Sequence, residues 1–276
     1  MMSLCRPPIP ALRPFVDSVW YSPAANPVAG TARERVLPSG SMHIAVRLDD
    51  VPLQLFDGDA DAPGRDCGVA VVGGARAGFY IKGSGAPHCT IGAQLRPGAA
   101  RALFGDSAAA FVDRHTRLED IWGQRAASLR ERLQSASTPA RQLDVFEDVL
   151  AARVSHARGM PPAIRQALRD FDKGIAVHDV VVASGCSHRR FVALFADAVG
   201  LTPKRYCRVI RFQAVLAAAQ RQPDLSWSTL AHAGGFSDQS HFNREFRELA
   251  GVTPQAYRRI SPAQRSHLPI GMPTRT

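Results

Sequence analysis

The chain has 276 residues, 45% of them hydrophobic and 21% charged, with 34 Lys plus Arg against 24 Asp plus Glu for a net charge of +10. This length suits two domains, and the apolar share is enough for a buried core, which excludes a globally disordered chain. No run approaches the length of a membrane span, and the start Met1-Met2-Ser3-Leu4-Cys5-Arg6 has neither a basic nor an apolar signal region, so a cytoplasmic protein is expected. Cys5, Cys67, Cys89, Cys186 and Cys207 are odd in number and hold no Cys-x-x-Cys pair, so neither a disulfide framework nor a structural metal site is expected, and no cofactor.

In chain order, the first third reads as strands. Short runs rich in β-branched and apolar residues occur at His43 to Leu48, Leu53 to Phe56, Val69 to Val72, Phe79 to Ile81 and His88 to Leu95, with Gly and Pro between them. That texture predicts a β-sandwich or small barrel. After Pro97 the pattern turns helical, with Gly98 to Phe104, Arg117 to Trp122, Arg125 to Gln134 and Pro139 to His156 as candidate helices. Arg158-Gly159-Met160-Pro161-Pro162 cannot continue a helix and marks a boundary. The expected organisation is therefore α+β: a β-rich sensing or dimerisation domain with a helical extension over 1–158, an all-α domain over 160–265, and a tail over 266–276.

The basic excess belongs to the second part. From Met160 to Thr276 there are 16 Lys plus Arg and 8 Asp plus Glu, a net of +8, against 18 and 16, a net of +2, before it. Such an imbalance suits a polyanionic partner, although evenly spread charge would only aid solubility.

The same region repeats itself. Phe191, Phe195, Gly200, Thr202, Pro203 and Tyr206 recur as Phe242, Phe246, Gly251, Thr253, Pro254 and Tyr257, each displaced by 51 residues. Before each phenylalanine pair lies a turn containing glycine, Gly185-Cys186-Ser187 and Gly235-Phe236-Ser237-Asp238, and before each turn a short helical stretch. Ser187 and Asp238 are good N-caps. The repeated unit is thus helix, tight turn, helix. In the second unit Phe242, Phe246 and Leu249 share one helix face and leave Gln239, Ser240, Asn243, Arg244 and Arg247 to the others. Amides and arginines on a helix backed by phenylalanines suit a DNA major groove, where Gln and Asn pair with adenine edges and Arg with guanine or phosphate. For a single helix a solvated face would be the simpler account; two such units in a basic domain favour DNA.

Trp227, Leu230-Ala231, Gly235-Phe236, Asp238-Gln239-Ser240-His241-Phe242, Arg244, Phe246, Gly251, Thr253-Pro254 and Tyr257-Arg258 resemble the signature of AraC/XylS-type transcriptional regulators. The resemblance covers roughly Ala163 to Ser261. It implies two helix-turn-helix units joined by a long helix, here Pro203 to Gln220, that read successive major-groove segments of double-stranded DNA. Gln239, Ser240 and Asn243 would then read bases, and Arg244 would contact backbone or a guanine. The first unit departs from the pattern: Ala193 stands where many members carry an arginine, which leaves His188, Arg189 and Arg190 as its contacts. Trp227, Phe242, Phe246 and Tyr257 read as core. The resemblance further implies a transcriptional activator or repressor whose partners are RNA polymerase, a small-molecule effector and a second copy of the chain.

Leu37-Pro38-Ser39-Gly40 and Arg96-Pro97-Gly98-Ala99-Ala100 are similar to N-terminal domains of uncharacterised relatives and name no effector. His43 and His88 are isolated strand histidines without a His-x-His plus Glu cluster, so no metal site is expected. Trp20, Tyr21, Phe56, Phe79 and Tyr80 are candidates to line a pocket or simply to form core. Two other functions are weighed. A DNA-repair methyl acceptor would need clustered cysteines around a metal, which the wide Cys spacing lacks. A helical scaffold for proteins would share the helices but not the need for excess positive charge. With no nucleophile elbow or phosphate loop in the sequence, no enzyme is expected.

Overall fold

The computed structural model describes residues 3–24, 33–58, 63–154, 159–262 and 264–270. Its β-rich part contains β1 (Leu4–Arg6), β2 (Val16–Ser22), β3 (Arg33–Val36), β4 (His43–Arg47), β5 (Gln54–Phe56), β6 (Arg65–Asp66), β7 (Ala70–Gly73), β8 (Tyr80–Gly83), β9 (Thr90–Leu95), α1 (Ala99–Phe104), β10 (His115–Arg117), α2 (Leu118–Trp122), α3 (Gln124–Ser135) and α4 (Pro139–Val154). The helical part contains α5 (Pro162–Asp172), α6 (Val177–Ala183), α7 (His188–Val199), α8 (Pro203–Arg221), α9 (Trp227–Ala233), α10 (Gln239–Ala250) and α11 (Pro254–Ile260), and a last strand, β11 (His267–Ile270), follows it. The fold is the expected α+β arrangement of a β-sandwich with trailing helices and an all-α domain.

Two antiparallel sheets make the sandwich. One has the order β1-β2-β9-β4-β7-β10, the other β11-β3-β8-β5-β6. The first sheet lays Ile44, Val46, Val72, Ile91, Ala93 and Leu95 against Leu129, Leu133, Leu143, Phe146 and Leu150 of α3 and α4, all at or below 2% exposure. Because strand side chains alternate between faces, the residues between these, such as His43, Gly73 and His115, point into the space between the sheets. Among the described residues that space holds a small apolar cluster of Leu53, Leu55, Cys67 and Val71 with Ala45 and Tyr80 beside it. The rest is polar.

One expectation needs correction. The segment 266–276 is not simply a tail: His267–Ile270 pairs antiparallel with β3, Leu268 opposite Arg35, and Leu268 is fully buried. Residues 271–276 lie outside the described residues. β3 would otherwise be an open edge, and an edge offers unpaired backbone groups to any strand that reaches it. Pro269 is tolerated within it because β11 is an outermost strand. The candidate helix from Pro139 to His156 is seen as far as Val154, its last two residues lying outside the described residues. In addition β1, β2, β3, β6 and β10 extend the sheets beyond the runs read from sequence.

In the helical part the two repeats are the same backbone twice. Gly200 and Gly251 end α7 and α10 with φ of 90° and 69°, Thr202 and Thr253 cap α8 and α11 by accepting from Arg205 N and Ala256 N, and Pro203 and Pro254 open those helices. Phe191, Phe195, Phe242 and Phe246 are at most 1% exposed. Trp227, Phe212 and Tyr257 meet Phe246 ring to ring at centroid distances of 5.5, 5.3 and 5.7 Å.

Burial, reinforced by the nearby charges of Lys82 and Arg76, holds the His43 imidazole at about 4, far below its ordinary value. The unfolded chain takes up this proton near pH 6.5 while the fold resists it, so the stability due to His43 is complete above that pH and lost as pH falls through about 4. Thermal melts should therefore fall in midpoint from neutral pH towards pH 4, and fall less steeply in His43→Gln.

Candidate nucleic-acid interface

Each helix-turn-helix unit is built around its turn. Gly185 and Gly235 carry φ of 67° and 72°, a conformation that side chains with a Cβ disfavour, and each lets the chain reverse directly between two short helices. After the turn an oxygen side chain caps the second helix: Ser187 Oγ accepts from Arg190 N at 3.4 Å, and Asp238 Oδ1 accepts from His241 N at 2.7 Å. That hydrogen bond, with help from Ser237 and Ser240, holds the Asp238 carboxyl below its ordinary value.

On α10, Gln239, Ser240, Arg244 and Arg247 are exposed and Asn243 is half-buried. Ser240, Asn243, Arg244, Arg247 and Glu248 line a shallow depression of about 430 Å³. The Asn243 Oδ1 has no hydrogen-bond partner among the described residues. The proposed readers of the second unit thus share one surface, with Phe242, Phe246 and Leu249 buried behind them. On α7, His188, Arg189 and Arg190 are all exposed in the first turn, and Ala193, exposed as Arg244 is, occupies the position equivalent to it. Arg247 is the member of this surface that the sequence reading assigned to an outer helix face without giving it a role. Its signal was its spacing of three from Arg244.

Other arginines of this part serve packing. The Arg258 guanidinium lies 4.6 Å over the Trp227 ring and donates to Leu225 O at 2.7 Å, and that of Arg211 lies 4.8 Å over Phe236. Arg208 reaches from α8 to two carboxylates of α10, donating from Nε to Glu245 Oε1 at 2.5 Å and pairing with Glu248. Glu245 is 6% exposed, and Arg211 Nη2 and His241 Nε2 stand 3.7 and 3.6 Å from its Oε2. This buried carboxylate locks α10 to the joining helix. At 19 residues, α8 spans about 28 Å by the rise of an α-helix, which approaches one turn of duplex DNA.

The first unit is held differently. Its α7 docks on the β-rich part: Arg101 donates to both carboxylate oxygens of Asp197 at 2.9 and 2.5 Å, and Gly98 N donates to Ala198 O at 2.8 Å. The Arg101 pairing pulls the Asp197 carboxyl below its ordinary value. On α8, Arg205 pairs with Asp113 at 2.7 Å and Gln213 donates to Pro38 O at 2.7 Å, while a Cβ built on Gly40 would stand 3.4 Å from Val209. The two motifs Leu37-Pro38-Ser39-Gly40 and Arg96-Pro97-Gly98-Ala99-Ala100 are therefore the seam between the parts.

The profile of the family described as "Helix-turn-helix domain" matches residues 181–260. With the duplicated units and the joining helix in place, that match decides the family of this part. The C-terminal domain is an AraC/XylS-type double helix-turn-helix domain. A second profile, "Domain of unknown function (DUF6597)", matches residues 5–117 of the β-rich part. Among relatives of the AraC-type domain, the transcriptional activator NphR of Rhodococcus sp. is 30% identical over 177 residues, which is 59% of this chain and 50% of that protein. The transcriptional activator RhaS of Pectobacterium carotovorum is 43% identical over 61 residues, 21% of each chain. The chain thus spans half or less of the length of these relatives. Among solved structures, ToxT of Vibrio cholerae aligns over 94% of this chain and 98% of its own, at 10% identity and a TM-score of 0.47.

The aromatic residues considered for a pocket separate into different roles. Tyr21 is buried in the main core, Phe79 lies 2.7 Å from a Cβ built on Gly251 of the AraC-type domain, and Arg33 stacks 3.8 Å over Phe56. Trp20 crosses Gly92, and Tyr80 meets the His115 ring between the sheets. All five cysteines are free thiols, and among the described residues no three His, Cys, Asp or Glu side chains are grouped to hold a metal. Among these residues no helix is long and apolar enough to cross a membrane.

Proposed function

We propose that the protein is a sequence-specific DNA-binding transcriptional regulator, an activator by analogy with NphR and RhaS, working on double-stranded DNA in the cytoplasm with its β-rich domain as the sensing part. The observation that carries this reading is the pair of equivalent helices, α7 and α10, each buried on phenylalanines and each exposing polar and cationic side chains from a capped first turn. Gln239, Ser240 and Asn243 are assigned to base edges and Arg244 to a phosphate or guanine. His188, Arg189 and Arg190 are assigned mainly to phosphates, because no long cation stands at Ala193. The reading is of a non-catalytic protein. RNA polymerase, an effector and a second copy of the chain are its further proposed partners.

The full chain should bind a subset of genomic fragments in gel shifts, with affinity that falls steeply with salt as counterions are released from the DNA. Salt-independent binding, or none, would remove the electrostatic basis of the assignment. At the best site, Gln239→Ala or Asn243→Ala should each cost about 1 to 3 kcal/mol and broaden sequence preference, whereas Arg244→Ala weakens binding more evenly if it grips phosphate. Phe246→Ala serves as the control for folding and should cost about 3 to 5 kcal/mol in urea unfolding through a core cavity.

The half-site under α10 should be read more stringently than the one under α7. Selection from randomised DNA should yield more information in the former, and Ala193→Arg should raise affinity by adding a phosphate contact. Equal information in the two half-sites of the unaltered protein, or looser binding by the variant, would contradict the assignment.

A further inference from the structure

Between the sheets, register and alternation gather groups that no DNA contact uses. His43 on β4 and His115 on β10 both stand opposite Gly73 of β7. A Cβ on Gly73 would lie 2.1 Å from His43 Cε1, so the glycine makes room for the imidazoles, whose centroids are 5.5 Å apart. From the facing sheet the Tyr80 ring comes within 4.8 Å of that of His115, and the Arg76 guanidinium lies 4.9 Å over Tyr80.

Arg76 Nη2 is 3.2 Å from His115 Nδ1. A guanidinium only donates, so Nδ1 accepts and the neutral ring carries its proton on Nε2. Burial, then the charges around it, keep His115 neutral, at about 2. His115 is 6% exposed, and its Nε2–H has no acceptor among the described residues; the Nε–H of Arg76 is likewise buried without one. An orphaned buried donor is costly unless something supplies an oxygen. Lys82 is neutralised by Glu34 at 2.7 Å, whereas Arg76 has no carboxylate within ion-pair distance among the described residues. Among the described residues the two buried donors therefore lack an acceptor and Arg76 lacks an ion-pair partner.

We propose that Arg76 and His115 form a binding site for a small oxyanion, the carboxylate or phosphate group of an effector. The site abuts the seam. Ala75, next to Arg76, would lie 3.2 Å from a Cβ at Gly200, which ends α7, and Asp113, two residues before His115, donates its backbone N–H to Ala75 O and pairs with Arg205 of α8. An oxyanion held by Arg76 and His115 acts on the two segments that touch the first reading helix and the joining helix. This second half rests on the DNA-binding reading above.

The test uses the full chain without DNA. Sodium benzoate and inorganic phosphate are titrated at constant ionic strength, with benzamide as the uncharged counterpart of benzoate, by calorimetry and by ¹⁵N resonances of the histidine side chains. One oxyanion should bind saturably and shift the His115 Nε2 resonance, benzamide should not, and Arg76→Gln should weaken binding about tenfold or more. Benzoate alone would mark a carboxylate effector, phosphate alone a phosphorylated one. No shift at His115 from either anion at tens of millimolar overturns the site, as does binding that survives unchanged in Arg76→Gln and His115→Gln. Because no DNA is present, failure here leaves the gel-shift reading standing, and failure of the gel shift leaves the site standing. Where the anion binds, the affinity for a selected DNA site should change with it; constant DNA affinity overturns the coupling.

Discussion

The docking of the β-rich domain on α7 and α8 is the constraint on which the arrangement of the whole chain depends. It uses backbone as much as side chains: Gly98 N bonds Ala198 O, Leu37 N bonds Ser266 O, and β11 completes the sheet that β3 begins. These bonds satisfy polar groups that the burial of Leu37 and Leu268 would otherwise strand. The main hydrophobic core runs without a break from Val16 through Phe146 to Phe246. Two domains recognisable by their grammar are packed as one body, and the residues that make them so lie far apart in the chain.

That separation explains what could be read beforehand. The helix-turn-helix units were legible because the same backbone tasks, a left-handed helix end, a capping hydroxyl and a proline at the first turn, call for the same residue types at Gly200 and Gly251, Thr202 and Thr253, Pro203 and Pro254. The exposed surface of α10 was legible from the spacing of its phenylalanines. Strand β2 was not, since Val16-Asp17-Ser18-Val19 carries an irregularity in its pairing with β9 that breaks the alternation. β11 was hidden by Pro269, and β10 by being three residues long.

The seam and the oxyanion cluster were illegible for a different reason. Nothing near Arg76 in sequence announces His115, because strand pairing across Gly73 creates that neighbourhood. The two short motifs at Leu37 to Gly40 and Arg96 to Ala100 stood out by resemblance alone. Their physical meaning, close contact of backbone with α7 and α8, appears only when the chain is folded.

Glu245 and Asp197 give the molecule unequal feet. Helix α10 of the second unit is bolted to the joining helix through Arg208, while α7 of the first is bolted through Arg101 to a different domain. The β-rich domain meets α7 through Arg101 and Gly98, and it also meets the end of α10, where Phe79 stands against Gly251. Both feet therefore rest on the same β-rich surface, one through an ion pair at its side and the other through an aromatic ring at its end, so the two differ in the kind of tie and not in having one.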